Sequence, residues 1–326
     1  MKNKKKLLVI TLTWNDYSNT SKCIQSFKKH SKKYDIHYLL IDNNSTDGSY
    51  KKIINKYKFL KIKNKKFSKI SYRYLTLKNN NNMGCGAGHN PGYQFGIKNN
   101  FQYIARIDND MTFGKNFFNK NIEILDKNIS INAISPKILY TNNKNKIWWM
   151  GCVIGHSLKF QTHMRNYPYG LKDSYKLKGL INTDAIAGCA SIIRVSILKK
   201  IGLSDVDFFY GPEDVEFSRR IFNKKGSLMV NLDSKIYHKV TQSFKENLQE
   251  RRIYFEYKYR LLLIKKIGTQ FDKLIGYTVS LVKFIIYIFL FSVKRHRKKI
   301  IPVGKAIIDF YLFNRLGNYD RKNNNK

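Results

Sequence analysis

The sequence predicts an α/β fold, a parallel-sheet half followed by a helical, basic and apolar extension. Three observations lead there. Short apolar runs alternate with amphipathic segments through the first third of the chain, the runs end in clusters of Asp, Asn and Gly, and the composition shifts beyond about residue 245. The division drawn is 1–244 for the α/β part and 245–326 for the extension.

Leu7 to Thr13 reads as a buried strand, and Ser18 as the N-cap of a helix burying Cys23, Ile24 and Phe27. His37 to Ile41 is a second strand, closed by the turn formers Asp42-Asn43-Asn44-Ser45-Thr46-Asp47-Gly48, with a helix after them. Past a basic stretch around Lys61 to Lys69, Tyr72 to Leu77 is a third strand entering a Gly/Asn loop, Asn82 to Asn90. Tyr103 to Ile107 is a fourth, ending at Asp108-Asn109-Asp110. Further strands are expected at Ile134 to Leu139 and Ala190 to Arg194, a helix over Glu213 to Asn223, and a short strand ending near His238. A basic, aromatic helix, Arg251 to Lys266, opens the extension.

With 326 residues there is room for one large domain and an appendage. Lys and Arg number 61 against 22 Asp and Glu, a net +39 that raises a nucleic-acid hypothesis. The lysines are spread along the whole chain among Asn runs, which fits solvated surface and attraction to phosphates or anionic lipid. Cys23, Cys85, Cys152 and Cys189 form no CxxC pair, so reduced thiols are expected. Met1 to Ile10 imitates a signal peptide, but the apolar run is too short and ends in Thr-Trp-Asn-Asp.

In so basic a chain the grouped acids carry the most information. Asp108 and Asp110 stand two positions apart at a strand end, the edge of a parallel sheet where ligands bind, and suit Mg²⁺ or Mn²⁺ on a diphosphate. Asp42 to Gly48 follows another strand at the same edge. Glu213-Asp214 opens a helix after Phe208-Phe209-Tyr210-Gly211-Pro212, where a carboxylate can serve as a general base. His238 could complete a metal site begun by Asp110. Taken singly, each motif also reads as a turn, a helix cap or a structural histidine.

As an ordered set the motifs resemble the family 2 glycosyltransferases, and in particular their rhamnosyltransferase-like bacterial branch. The resemblance runs through Thr13-Trp14-Asn15, Cys23 to Phe27, Ile41 to Gly48, Asn82-Met83-Gly84 with Asn90, Asp108-Asn109-Asp110, Asp184 to Arg194 around Gly188, Phe208-Phe209 with Glu213-Asp214, and His238. It implies a GT-A fold, in which a Rossmann-like nucleotide-binding sheet merges with an acceptor-binding half. It also implies that Thr13, Trp14, Asn15, Asp42, Asn43, Asn82, Gly84, Asp108 and Gly188 bind a nucleotide sugar, UDP- or dTDP-linked. Asp110, Asp108 and His238 would hold Mg²⁺ or Mn²⁺, and Asp214, with Glu213 beside it, would be catalytic in an inverting transfer. The implied acceptor is a hydroxyl of a surface glycan (O-antigen, capsule or cell wall), carried on a lipid. The glycine loop departs from the family pattern after Gly84, and Asn142 to Lys178 has no family signature.

Leu274 to Val293 contains a single internal charge, Lys283, and is long enough to span a bilayer. A single span would export Lys294 to Lys299 against the positive-inside tendency. Gly276, Ser280, Lys283, Tyr287 and Lys294 form a weakly polar stripe, so a helix in the membrane interface, or a re-entrant hairpin with Ile300 to Phe313, is expected at the cytoplasmic face. The rival readings are a basic nucleic-acid-binding protein and an inactive membrane scaffold of the same fold; the resemblance implies no nucleic-acid partner.

Overall fold

The apolar runs become strands because they are buried on both faces. The computed structural model describes residues 7–31, 35–62, 73–154, 164–166, 170–174, 176–240, 246–290 and 297–311. In chain order the first half comprises β1 (Leu7–Thr13), α1 (Tyr17–His30), β2 (Ile36–Asp42), α2 (Ser49–Tyr57), β3 (Leu60–Lys61), β4 (Tyr74–Lys78), α3 (Cys85–Gly88), α4 (Asn90–Lys98), β5 (Tyr103–Ile107), β6 (Met111–Phe113) and α5 (Phe117–Lys127). Then come β7 (Ile131–Tyr140), β8 (Ile147–Trp149), β9 (Cys152–Ile154), β10 (Met164–Asn166), β11 (Leu180–Asn182), β12 (Ala190–Arg194), α6 (Val195–Ile201), α7 (Glu213–Asn223) and β13 (Ser227–His238). Three helices close the chain, α8 (Glu246–Ile267), α9 (Gln270–Leu290) and α10 (Arg297–Tyr311).

The main sheet runs β11-β13-β7-β12-β5-β1-β2-β4-β3, with β6 on β13 and β8 on β7. β5, β1, β2, β4 and β3 pair in parallel, as expected, but β12 enters antiparallel to both β5 and β7. The sheet is therefore mixed rather than parallel throughout. Alternation sends Leu7 and Val9 to a core shared with α1, α2 and α5, and Leu8 and Ile10 to a second core beneath α4, α6 and α7.

Several local expectations change. Asp16, not Ser18, caps α1, its Oδ1 accepting the Asn19 N–H at 2.9 Å. The Gly/Asn segment is not an open loop: from Cys85 it winds into α3 and then α4. Small residues there serve packing, since a Cβ at Gly92 would lie 2.7 Å from Ile41 and one at Gly96 within the Ile104 side chain. The short strand expected before His238 is the twelve-residue β13, whose length comes from pairing with β7 along its course. Most of the basic stretch, residues 63–69, lies outside the described residues, as do 155–163 and 167–169 of the segment without a family signature.

α8 packs into the main core rather than standing apart. Tyr254, Phe255, Tyr259, Leu262 and Leu263 are buried in the same cluster as the sheet, each contributing about 1.5–3 kcal/mol. Lys266 Nζ adds ion pairs to Asp205 and, at 2.8 Å, to Asp207. α9 then folds back so that Gly276 meets Ile264, and Ser280 bonds the Tyr311 hydroxyl of α10 at 3.0 Å. Gly276 and Ser280 of the small and polar stripe thus face protein, and Phe271, Leu274, Val282, Ile285 and Phe289 are exposed. No described helix is long and apolar enough to cross a membrane, and residues 291–293 of the Leu274 to Val293 stretch lie outside the described residues.

Candidate active site

The carboxyl ends of β1, β2 and β5 open onto a cleft of about 400 Å³ bordered by Trp14, Asn43, Asn82, Gly84 and Asp108, the edge where parallel sheets bind ligands. Thr13 is buried there, its hydroxyl 2.8 Å from that of Thr20, and Trp14 is 46% exposed at the rim. An amide network forms the floor. Asn43 Oδ1 accepts from Asn79 Nδ2 at 3.0 Å and from the Met83 N–H at 3.0 Å, while its Nδ2 donates to Asn82 Oδ1 at 2.8 Å. Both ends of the buried Asn43 amide are thus paired, which fixes the shape of the floor.

Gly84 has φ +76°, and a Cβ there would overlap the Phe209 carbonyl oxygen, to which the Cys85 N–H donates at 2.9 Å. Only glycine serves at that point. The contact ties the cleft to the loop that precedes α7.

Asp42 and Asn15, both expected to touch the donor, are engaged elsewhere. The buried Asp42 carboxylate accepts the Ser45 N–H at 3.1 Å, and burial raises its pKa while the Ser45 bonds oppose the rise. Asn15, at φ 49°, accepts the Thr46 N–H at 2.8 Å and so fastens the 44–47 turn to the end of β1. Neither borders the cleft.

Asp108 does border it. Its N–H donates to the Cys189 carbonyl at 2.9 Å, and burial pushes its carboxyl up to about 6, opposed by Arg106 and helped by Asp110. Asn109 turns back to α1, donating to Thr20 at 3.0 Å and to Asp16 at 3.2 Å. β6 leaves the acidic turn and pairs with the end of β13, aligning Met111 with His238. That pairing sets Asp110 Oδ2 3.1 Å from His238 Nε2, and the Trp148 ring meets the imidazole edge-on at 4.5 Å.

Asp110 Oδ1 and His238 Nδ1 are buried with no partner. An orphaned carboxylate oxygen beside an imidazole is a donor set that fits a divalent cation taking its other ligands from phosphate and water. Among the described residues no three or more His, Cys, Asp or Glu converge, so Asp108 is not drawn into a three-ligand set with Asp110 and His238.

Glu213 and Asp214 separate in role. Glu213 is buried and ion-paired with Arg106 of β5 at 2.8 Å, both side chains being 6% exposed or less. Asp214 Oδ2 accepts the Gly188 N–H at 3.0 Å and Oδ1 the Val215 N–H at 2.9 Å. Gly188 is a close approach, since a Cβ there would lie 2.9 Å from Asp214 Oδ2. Burial pushes the Asp214 carboxyl up to about 7; neighbouring Glu213 adds to the rise, and Arg106 with the two N–H donors opposes it. Asp108 and Asp214 are thereby anchored on consecutive residues, Cys189 and Gly188.

Sequence reasoning missed Arg106, Asn79 and Asp16. A lone Arg inside an apolar strand was the signal for the first, and an Asp three residues before an Asn at a helix start for the third. Also missed were Arg251 and Phe255, which α8 brings to the cleft.

No curated protein matches the sequence. Among solved structures, GalNAc-T7 with UDP, GalNAc and Mn²⁺ superposes with a TM-score of 0.60 at 16% identity, over 80% of this chain and 51% of that one. The chain thus spans about half of GalNAc-T7. S. aureus TarS 1-349 superposes with a TM-score of 0.52 at 15% identity, over 93% of this chain and 80% of that one. These likenesses show a GT-A-like α/β fold. Residues 8–202, more than half of the chain, match the family model for glycosyl transferase family 2, and the chain belongs to that family.

Proposed function

We propose that the protein transfers a sugar from a nucleoside-diphosphate donor to an acceptor hydroxyl with inversion. The observation that carries this is the strip Gly188-Cys189, whose Gly188 N–H holds the Asp214 carboxylate and whose Cys189 carbonyl holds the backbone of Asp108 at the sheet edge. Asp108 lies in the donor cleft, and Asp214, titrating near 7, is suited to take a proton at neutral pH. Both Asp214 and His238 lie beyond the 8–202 family match, so their roles rest on geometry.

In the proposed reaction Asp214 accepts the acceptor O–H proton, the freed oxygen bonds to the anomeric carbon, and the bond to the diphosphate breaks with its electron pair leaving on the nucleotide. Glu213 holds α7 in place through Arg106, and Gly188 orients the base. Asp110 and His238 would hold Mg²⁺ or Mn²⁺, which when bound supplies positive charge to the leaving diphosphate. The presence of UDP and Mn²⁺ with GalNAc-T7 supports that pairing here.

A panel of UDP-, GDP- and dTDP-sugars with Mn²⁺, followed by thermal shift and donor hydrolysis, tests the reading. Absence of response to every donor would sink it. On the sequence resemblance we favour a UDP- or dTDP-sugar, a rhamnosyl or hexosyl group, and a growing surface glycan.

The exposed apolar side chains of α9, Leu274 at 66% and Phe289 at 77%, support attachment to a membrane surface; on the sequence resemblance we favour its cytoplasmic face and a lipid-linked acceptor. Flotation with anionic vesicles checks this. L274S together with F289S should abolish association without loss of donor binding, and equal flotation of both proteins would contradict it.

A further inference from the structure

The donor cleft is bordered by two carboxylates, Asp16 and Asp108, and among the described residues by one Lys or Arg, Arg251. Asp16 is engaged by Asn19 and Asn109, its oxygens accepting at 2.9, 2.7 and 3.2 Å. A dianionic diphosphate entering such a cleft meets negative charge on its floor, so a fixed cation at its border has an evident task.

Arg251 is equipped for it. It comes from the first turns of α8, beyond the 8–202 span shared with the family. Its guanidinium lies over the Phe255 ring, 5.4 Å from the centroid, a contact that orients the planar fork without consuming its donors. No carboxylate among the described residues pairs with it, whereas neighbouring Arg252 is bonded to Glu256 at 2.7 Å.

The platform beneath is rigid. Phe255 is buried, stacked on Tyr259 at 5.6 Å and packed on Phe209 at 5.8 Å. Phe209 in turn receives the Cys85 N–H and abuts Gly84 of the cleft wall. The α8 cation is thus braced against the same loop that shapes the donor site.

Resting on the donor reading above, we propose that Arg251 binds the diphosphate of the nucleotide sugar, so that α8 completes the donor site. The helix that opens the extension is then part of the transferase, and the charge it brings acts together with the cation expected at Asp110 and His238.

The test is titration calorimetry with UDP, GDP and dTDP, each compared with its own nucleoside, on the full chain and on Arg251→Ala and Arg251→Lys. For the diphosphate that binds, Arg251→Ala should weaken affinity by about tenfold to a hundredfold, the range for hydrogen bonds to charged groups. Nucleoside affinity should be unchanged, which also shows that the variant is folded. Arg251→Lys should recover part of the loss, as a point charge replaces a fork. Unchanged diphosphate affinity in Arg251→Ala, or an equal loss for nucleoside and diphosphate, overturns the proposal while leaving the donor reading in place. If the unaltered protein binds none of the three diphosphates, the donor reading falls and this one falls with it.

Discussion

Replacing Asp214 by Asn removes the charge and keeps the shape, with the amide oxygen still able to accept the Gly188 N–H. Burial is the chief reason the carboxyl titrates at about 7 instead of 3.8. That rise corresponds to on the order of 4 kcal/mol between the two protonation states. Its sign follows from proton binding. With the folded pKa above the unfolded one, the native state holds the extra proton between about pH 4 and 7. Stability is therefore fully present below pH 4, falls as pH rises through that window, and levels off above 7. Asp214→Asn lacks this loss. Urea unfolding from about pH 4 to 8.5 should show the variant gaining on the wild type by a few kcal/mol. Wild-type kcat/KM should rise about tenfold per pH unit below 7 and flatten above it, and the variant should lose about 10²–10⁴-fold with donor affinity intact. Parallel stability curves, or turnover retained in Asp214→Asn, would refute the reasoning.

Three further outcomes are expected. Gly84→Ala should abolish nucleotide binding and lower the urea midpoint, because a side chain at φ +76° would overlap the Phe209 carbonyl. Arg106→Met should destabilise by about 3–5 kcal/mol in chemical denaturation by stranding the Glu213 carboxylate; the double variant Arg106→Met/Glu213→Met should recover most of that. His238→Ala should raise the Mn²⁺ concentration needed for half-maximal activity at least about tenfold, with Mn²⁺ binding followed directly by electron paramagnetic resonance; an unchanged Mn²⁺ titration would remove His238 from the metal site.

Much of the fold was legible because it is local. β1, β5, β12 and α7 begin and end where apolar runs meet turn formers or caps, and both cores follow from alternation along strands buried on two sides. What was misread depended on partners. Asp16 displaced Ser18 as cap because Asn19 and Asn109 both reach it, and the helices that follow Gly84 pack closely on the sheet because Gly92 and Gly96 leave room for Ile41 and Ile104.

The acids at strand and helix ends, and the residues that resemble the family, were determined by the sequence itself, since residue type and the ends of local elements are one-dimensional properties. Tertiary structure alone decided how they act. Pairing of β6 with β13 set His238 beside Asp110, and the Arg106–Glu213 pair, 107 residues apart, separated the two acids of α7 into one held by a cation and one held by the Gly188 N–H. α8 borders the cleft where its aromatic side chains are buried against Phe208 and Phe209. Such contacts are made by burial and pairing between distant segments, and no periodicity along the chain encodes which segments will meet.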